Sequence, residues 1–216
     1  MKDVHGIWLP DGDTHFENHL RQSPIVYGGK TYQYAKYTKA LLYVPKRALA
    51  IDVGGHVGLW SRVMAKDFLH VIAFEPLSAH RDCFLQNVTA ENVELYPWAV
   101  GAQQGKVFVD MPFDNTGHSQ VSEAGKGEQV DMIQLDEFDF PCRIDFLKVD
   151  VEGFEYNVVK GAEETIRTHK PTIIIEQKPN GNAETFGFAQ HAAVDLLKSW
   201  GAREVAVMAG DHILVW

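Results

Sequence analysis

The sequence predicts an α/β fold: a mostly parallel sheet of seven strands with helices on both faces and a C-terminal antiparallel hairpin. Three observations indicate this. Short apolar runs rich in valine and isoleucine recur along the chain, segments with helical spacing separate them, and a tight polar turn joins the last two runs. Strands that alternate with helices pair in parallel, because each crossover covers one face of the sheet. The final hairpin is expected to close one edge of that sheet.

The predicted elements follow one another in a regular order. Charges or turn residues bound the strands, which cover residues 48–53, 70–74, 93–96, 145–149 and 171–176. The intervening helices cover residues 59–67, 79–88, 155–169 and 188–200. The closing hairpin takes residues 204–209 and 212–216, with Gly210 and Asp211 at its turn.

Two regions depart from simple alternation. Residues 106–111 and 129–135 are strand-like and flank the polar loop 114–127, so we expect an inserted hairpin there. Residues 1–46 contain tyrosines at partly helical spacing, which predict a helix packed on the sheet. We therefore expect an N-terminal helical cap at 1–46 on a core at 47–216, together forming one structural domain. The cap is interpreted as packed structure, with an active-site lid as the alternative.

Composition indicates an ordinary globular protein. The 216 residues suffice for one sizeable core, and 45% hydrophobic with 23% charged residues is typical of globular domains. The formal charge of -9, without a basic run, argues against a nucleic-acid partner. Apolar stretches are far shorter than the roughly twenty residues that span a bilayer, which argues against a membrane partner. Without a signal-peptide pattern, and with the widely spaced Cys83 and Cys142, we expect a cytoplasmic protein with reduced thiols.

A glycine turn joins the first core strand to the next helix. The segment 51–61, IDVGGHVGLWS, carries Asp52, Gly54 and Gly58 in the spacing D-x-G-x-x-x-G. A dinucleotide fingerprint needs G-x-G-x-x-G, and this pattern fails because His56 occupies the second glycine position. A carboxylate beside the turn would repel a pyrophosphate, whereas it would attract the cationic amino group and sulfonium of S-adenosylmethionine. By itself, the turn could equally be structural.

Two further strands end in acidic residues. Glu75 follows the second strand, 23 positions after Asp52, and an acid at about this distance accepts hydrogen bonds from ribose hydroxyls in nucleotide-binding sheets. Asp150 ends the strand 145–149 at the carboxyl edge of the sheet, where ligands bind in open α/β folds, and Glu152 lies in the following turn. We expect one of these two carboxylates to orient the cofactor. The other would accept the acceptor's proton or, with a divalent metal, help to hold it, although no metal site is otherwise indicated.

Other polar residues are weaker candidates. Glu155 is better explained as an acid that complements a helix dipole, and Glu176 could line an acceptor pocket at the same sheet edge. His56 and His118 lie in loops and could act as a general base near neutral pH. A lone loop histidine is more often a surface or hydrogen-bonding residue, so both rank below Asp150 and Glu152.

Taken together, these segments resemble the FkbM family of S-adenosylmethionine-dependent methyltransferases. The resemblance covers roughly residues 48–178, in the family's order: IDVGGHVGLWS, VIAFEP, the step at 99–101, LDEF, DFLKVDVEGFE, KGAEETI and PTIIIEQ. It implies a class I methyltransferase, Rossmann-like sheet that binds S-adenosylmethionine. It also implies O-methylation of a small-molecule or glycan acceptor, such as a sugar or natural-product hydroxyl.

Carried over by position, the resemblance implies specific site residues. The implied cofactor-binding residues are Asp52, Gly54, Gly55, His56, Gly58, Glu75, Ala99 and Asp150, and the implied catalytic residues are Asp150 and Glu152. His56 stands where such loops often have asparagine. The N-terminal region and the loop 114–127 are expected to choose the acceptor. Two alternatives remain: a non-catalytic module that binds S-adenosylmethionine, and an NAD-dependent oxidoreductase, against which the glycine spacing argues.

Overall fold

The computed structural model describes residues 1–122, 124–178 and 182–216. Its largest layer is a sheet of seven strands, numbered here in chain order as β1 Leu49–Val53, β2 His70–Phe74, β3 Val93–Tyr96, β4 Ile144–Val149, β5 Thr172–Glu176, β6 Arg203–Met208 and β7 Asp211–Val215. The spatial order is β6-β7-β5-β4-β1-β2-β3. β7 pairs antiparallel with β5 and β6, and the other neighbours pair in parallel. The predicted α/β class and C-terminal hairpin are confirmed.

Within the described ranges, seven α-helices accompany the sheet. They are α1 His15–Gln22, α2 Tyr34–Leu41, α3 Leu59–Asp67, α4 Ser78–Asn87, α5 Glu155–Lys160, α6 Glu163–His169 and α7 Ala192–Ser199. Short 3-10 helices occur at Thr116–His118, Leu135–Glu137 and Asn182–Phe186. None of the helices in the described part of the chain is long and apolar enough to cross a bilayer.

The central strands send alternate side chains into two apolar layers. On one face, Ile51 and neighbouring strand residues pack with α5, α6 and α7. On the other face, Ala50, Phe146 and Ile174 pack with α2 and α3. Strands buried on both faces have continuous apolar sequences, which explains why these strands could be predicted from the sequence.

The first 46 residues contain more than helices. The predicted helix is present as α2, with Tyr37 buried against the sheet. Two short antiparallel hairpins are also present, Lys2–Val4 with Ile7–Leu9 and Ile25–Val26 with Gly29–Lys30. The first 46 residues therefore combine helices with two hairpins, because tight turns with positive φ at Gly6 and Gly28 allow the chain to double back.

The inserted region is larger than a hairpin. It forms a second sheet from Ala99–Val100, Gly105–Asp110, Gln120–Val121 and Glu128–Ile133. Val109, Val130 and Met132 pack with Leu77, which attaches this sheet to the core beside the end of β2. Glu123 of the predicted loop lies outside the described residues.

The predicted helix 155–169 is two helices, α5 and α6. They separate at Gly161, where an added Cβ would lie 1.9 Å from the carbonyl oxygen of Gly101. The carboxylate of Asp136 accepts hydrogen bonds from the N–H groups of Glu164 and Thr165, at 3.1 and 2.8 Å, and thereby caps the first turn of α6. This tertiary contact restarts the helix. The predicted helix 188–200 begins later than expected, as α7.

Candidate active site

The candidate site lies at the carboxyl edge of the sheet, between β1 and β4. The chain leaves β1 toward β2 on one side and β4 toward β5 on the other, so the strand order reverses at this point. Ligands of open α/β sheets bind in the crevice that such a reversal creates. Two cavities of about 600 and 1010 Å³ open here. The residues that line both are Gly54, His56, Gly117, Asp150 and Glu152.

We name the smaller space the Glu75 cavity and the larger the Glu176 cavity, after an acid that lines each one. The Glu75 cavity lies over the ends of β1 and β2. Most of its wall is apolar, with contributions from Phe74, Leu77, Trp98, Ala99 and Val100. Ala99, a predicted cofactor-binding residue, also belongs to this wall and is buried in a short strand.

Glu75 is held in place by three hydrogen bonds. One carboxylate oxygen accepts from the backbone N–H of His56 at 2.8 Å, and the other accepts from the backbone N–H of Leu77 at 2.9 Å and from Nδ1 of His80 at 3.0 Å. Burial alone would raise the pKa of Glu75, but His80 and these N–H groups outweigh burial and lower it. Glu75 is therefore an ionised acceptor in the cavity wall.

His80 is a site residue that sequence reasoning missed. It is 1% exposed and lines the Glu75 cavity, and its Nε2 has no hydrogen-bond partner in the described part of the chain. A buried polar atom without a partner suits a ligand that supplies one. The only sequence signal was its position in the first turn of the helix after Glu75.

Asp52 does not reach the surface of the glycine turn. It is fully buried, where Oδ1 accepts a hydrogen bond from Nζ of Lys148 at 3.0 Å and Oδ2 accepts one from Oγ of Ser61 at 2.7 Å. Asp52 is not among the described residues that line either cavity. Both oxygens of this predicted cofactor-binding residue are thus bonded inside the protein, to a buried cation and a hydroxyl.

Lys148 was not identified from the sequence. Its ammonium also donates to the carbonyl of Gly54 at 3.0 Å and lies 3.7 Å from Asp150. Burial would lower the pKa of Lys148, but the charges of Asp52 and Asp150 outweigh burial and raise it. A lysine inside the apolar strand β4 is the signal that could have revealed it, since buried lysines need a charged partner.

The glycines of the turn are needed by the protein's own packing. With φ of +80°, Gly54 lies so close to β4 that an added Cβ would be 1.9 Å from the carbonyl oxygen of Asp150. Gly58, with φ of +85°, packs against Val88 of the region after α4, where a Cβ would approach to 2.5 Å. Gly55 lines the Glu176 cavity. Gly58 therefore shapes the turn, and it is not among the described residues that line the two cavities.

Three carboxylates converge where the cavities meet. Oxygen atoms of Asp150, Glu152 and Glu176 lie within 4.8 Å of one another. Burial, followed by the charge of Asp150, raises the pKa of both Glu152 and Glu176. Lys178 offsets part of this charge, with Nζ 2.6 Å from Glu176. Such a cluster could hold a divalent cation or the cationic part of a ligand.

Glu155 has the structural role that the sequence favoured. Its side chain is buried, and Oε1 accepts hydrogen bonds from the backbone N–H groups of Gly153 at 3.0 Å and Val151 at 3.3 Å. These bonds hold the turn that carries Glu152, at which φ is +51°. Burial raises the pKa of Glu155 to about 7.

His56 is linked to the N-terminal segment. Its Nε2 lies 2.9 Å from Oγ1 of Thr116, and Thr116 in turn hydrogen-bonds the buried Asp13. Burial, followed by His80, lowers the pKa of His56 well below its usual value. No local sequence pattern could reveal this connection, because 103 positions separate Asp13 from Thr116.

The N-terminal segment also lines the Glu176 cavity. The contributing residues from this segment are His15, Phe16, His19, Tyr32, Gln33 and Lys36. From the loop predicted to choose the acceptor come Asn115, Gly117 and His118. His118 therefore lies at the larger cavity, beside His15, with 6.3 Å between the ring centroids.

Comparison with known proteins identifies one family. The sequence model described as "Methyltransferase FkbM domain" matches residues 52–204. Methyltransferase 1 of Beauveria bassiana (strain ARSEF 2860) is 24% identical over 150 residues, which are 56% of this chain and 60% of that protein. The chain therefore spans less than two thirds of this relative.

Solved structures share the fold. Methyltransferase FkbM from Methylobacillus flagellatus KT has a TM-score of 0.51 at 20% identity, over 78% of this chain and 43% of that one. The N-methyltransferase NodS from Bradyrhizobium japonicum WM9, in complex with S-adenosyl-L-homocysteine, has a TM-score of 0.53 at 9% identity, over 95% of this chain and 92% of that one. These likenesses confirm the predicted Rossmann-like methyltransferase fold.

Proposed function

Because the chain belongs to the FkbM family of S-adenosylmethionine-dependent methyltransferases, we propose that it methylates a hydroxyl group of a sugar, glycan or small natural product. One observation carries the proposal. Two cavities meet at the carboxyl edge of the sheet and share a wall that contains His56, Asp150 and Glu152. A methyl donor in one cavity and an acceptor in the other would face each other across that wall.

The Glu75 cavity fits the cofactor. Its apolar surfaces suit an adenine ring, and the ionised Glu75 retains capacity to accept a hydrogen bond from a ribose hydroxyl. Asp150 in the shared wall suits the cationic end of the cofactor. When bound, S-adenosylmethionine supplies an electrophilic methyl group on its sulfonium.

The Glu176 cavity suits a hydroxylated acceptor. Phe16, Tyr32 and Trp60 give it aromatic surfaces, and the carboxylates give it hydrogen-bond acceptors. Nε1 of Trp60 and the side-chain oxygens of Gln33 and Asn115 are buried without partners in the described part of the chain. Acceptor hydroxyl groups would satisfy such atoms, which would otherwise remain costly to bury.

Glu152 is the proposed base. Glu152 would take the hydroxyl proton as the acceptor oxygen bonds to the methyl carbon and the bond from that carbon to sulfur breaks, which would release S-adenosylhomocysteine. Asp150 would orient the cationic donor. The raised pKa of Glu152 makes its carboxylate a stronger base. The ammonium of Lys178 favours the ionised form of Glu152. Alignment of the two reactants by the cavities supplies much of the remaining rate.

Calorimetry and turnover test the proposal together. We expect S-adenosylmethionine and S-adenosylhomocysteine to bind in the micromolar range, and NAD and NADP not to bind. Slow formation of S-adenosylhomocysteine with a panel of hydroxylated acceptors would distinguish an enzyme from a non-catalytic binding module. Preferential binding of NAD would contradict the proposal, and so would tight cofactor binding without turnover on any hydroxylated acceptor.

A further inference from the structure

His56 connects the shared cavity wall to a buried carboxylate in the N-terminal segment. Nε2 of His56 lies 2.9 Å from Oγ1 of Thr116. Both the hydroxyl and the backbone N–H of Thr116 donate to Oδ2 of Asp13. Asp13 and Thr116 are 0% and 1% exposed, so water does not compete for these bonds. Asp13 lies before the residues that the family's sequence model matches.

The direction of these hydrogen bonds fixes the tautomer of His56. A carboxylate only accepts, so the hydroxyl proton of Thr116 is directed to Asp13. The oxygen of Thr116 must then accept from His56, and Nε2 therefore carries the ring proton. In a neutral imidazole, Nδ1 is left with its lone pair. The lowered pKa of His56 is consistent with a neutral ring.

The surroundings hold the ring in one orientation. The rings of Phe16 and His80 lie 4.6 and 4.3 Å from it, measured between centroids. The backbone N–H of His56 donates to Glu75, which ties the turn to the end of β2. Lys148 is a further charge that disfavours a second proton on His56. His56 is half-buried and lines both cavities, and Nε2 is the ring atom that bonds to Thr116.

We propose that Asp13 and Thr116 are positioning residues that lock His56 as the Nε2–H tautomer, so that Nδ1 accepts a hydrogen bond from the cofactor. The donor is an N–H or O–H group of S-adenosylmethionine, either on its amino-acid part or on its ribose. The inference rests on the proposed function, because it requires the cofactor beside the shared wall. It gives the N-terminal segment a part in cofactor binding as well as in acceptor recognition.

The tautomer can be measured without turnover. Two-bond proton–nitrogen NMR correlations distinguish the two ring nitrogens of a neutral histidine. We expect the Nε2–H form for His56 in the wild-type protein, a shift toward the other tautomer in Thr116→Val, and recovery in Thr116→Ser. A wild-type His56 protonated on Nδ1, or a tautomer unchanged in Thr116→Val, would overturn the inference.

Thr172→Val is the matched control. Its hydroxyl donates to the carbonyl of Tyr43 at 2.8 Å, and Thr172 begins β5, at the end of the strand opposite the site. The substitution removes the same group from another buried threonine. We expect it to leave the His56 signals and cofactor affinity unchanged, so that an effect of Thr116→Val is specific to the site.

Ligand binding tests the cofactor contact. Loss of one hydrogen bond weakens binding by roughly threefold or more, and by most when the lost donor is charged. Thr116→Val should therefore weaken the binding of S-adenosylhomocysteine by at least about this factor, and Thr116→Ser should restore it. 5′-Methylthioadenosine lacks the amino-acid part. If Thr116→Val weakens the binding of both ligands equally, the donor is on the ribose. If it weakens the binding of S-adenosylhomocysteine alone, the donor is the amino group. Unchanged affinity for both would overturn the contact. Wild-type protein that binds neither ligand would overturn the proposed function as well, and the NMR measurement would still decide the tautomer.

Discussion

Lys148 of β4 and Asp52 of β1 form a buried ion pair beneath the glycine turn, with Nζ of Lys148 3.0 Å from Oδ1 of Asp52. The same ammonium donates to the carbonyl of Gly54, and Ser61 of α3 donates to the other oxygen of Asp52. Two central strands, the turn and the following helix are thereby joined at one point. The turn's position depends on this pair, because neither charge has water to replace its partner.

Removal of the lysine charge should destabilise the protein. Lys148→Met leaves Asp52 buried without its cation, and breaking a buried pair in this way costs about 3–5 kcal/mol in the free energy of unfolding. Urea denaturation measures the change. The double variant Lys148→Met with Asp52→Leu should recover most of the loss. Lys106→Met, which breaks the exposed pair with Asp131, is the control and should change stability little. A Lys148→Met protein as stable as wild type would rule out a structural role for the pair.

Loss of the Glu75 carboxylate should weaken cofactor binding. A charge-assisted hydrogen bond is worth about 1.5–3 kcal/mol, so Glu75→Ala should raise the dissociation constant for S-adenosylhomocysteine by roughly ten- to a hundredfold. Calorimetry measures this dissociation constant. Glu94→Ala is the control, because Glu94 is an exposed acid on β3. An unchanged constant in Glu75→Ala would move the ribose site elsewhere.

The two carboxylates after β4 should have different effects on catalysis. If Glu152 is the base, Glu152→Gln should leave the affinity for S-adenosylhomocysteine nearly intact and lower the single-turnover rate by on the order of a hundred- to ten-thousandfold. Asp150→Asn should also weaken cofactor binding, since Asp150 is placed nearer the cationic donor. Single-turnover rates separate chemistry from product release. Wild-type turnover in Glu152→Gln would exclude it as the base and direct attention to His118 or His56.

The buried Glu155 should make stability depend on pH. Its pKa is raised from 4.5 to about 7, so the folded protein keeps a proton that the unfolded chain has lost between those values. Its contribution to stability is therefore present below about pH 4.5 and is lost as the pH rises through about 7. Glu155→Gln should flatten this part of the profile of melting temperature against pH. The exposed Glu164→Gln should not, and an equal effect of both would contradict the assignment.

The sequence predicted elements whose signals are local. The strands were found because burial on both faces makes them continuous apolar runs, and Glu75 and Asp150 because they end such runs. The partner of Asp52 could not be found locally, since Lys148 is 96 positions away and meets it only across paired strands. A tertiary contact at Gly161 likewise split one helical pattern into two helices.

The most direct test of the two-cavity site is a crystal structure of the protein with S-adenosylhomocysteine. We expect the nucleoside in the Glu75 cavity, with ribose hydroxyls within hydrogen-bonding distance of Glu75. We expect the sulfur to face the wall that contains Asp150 and Glu152, with the Glu176 cavity left open for an acceptor. A nucleoside bound in the Glu176 cavity, or away from Glu75, would contradict the proposed division between donor and acceptor.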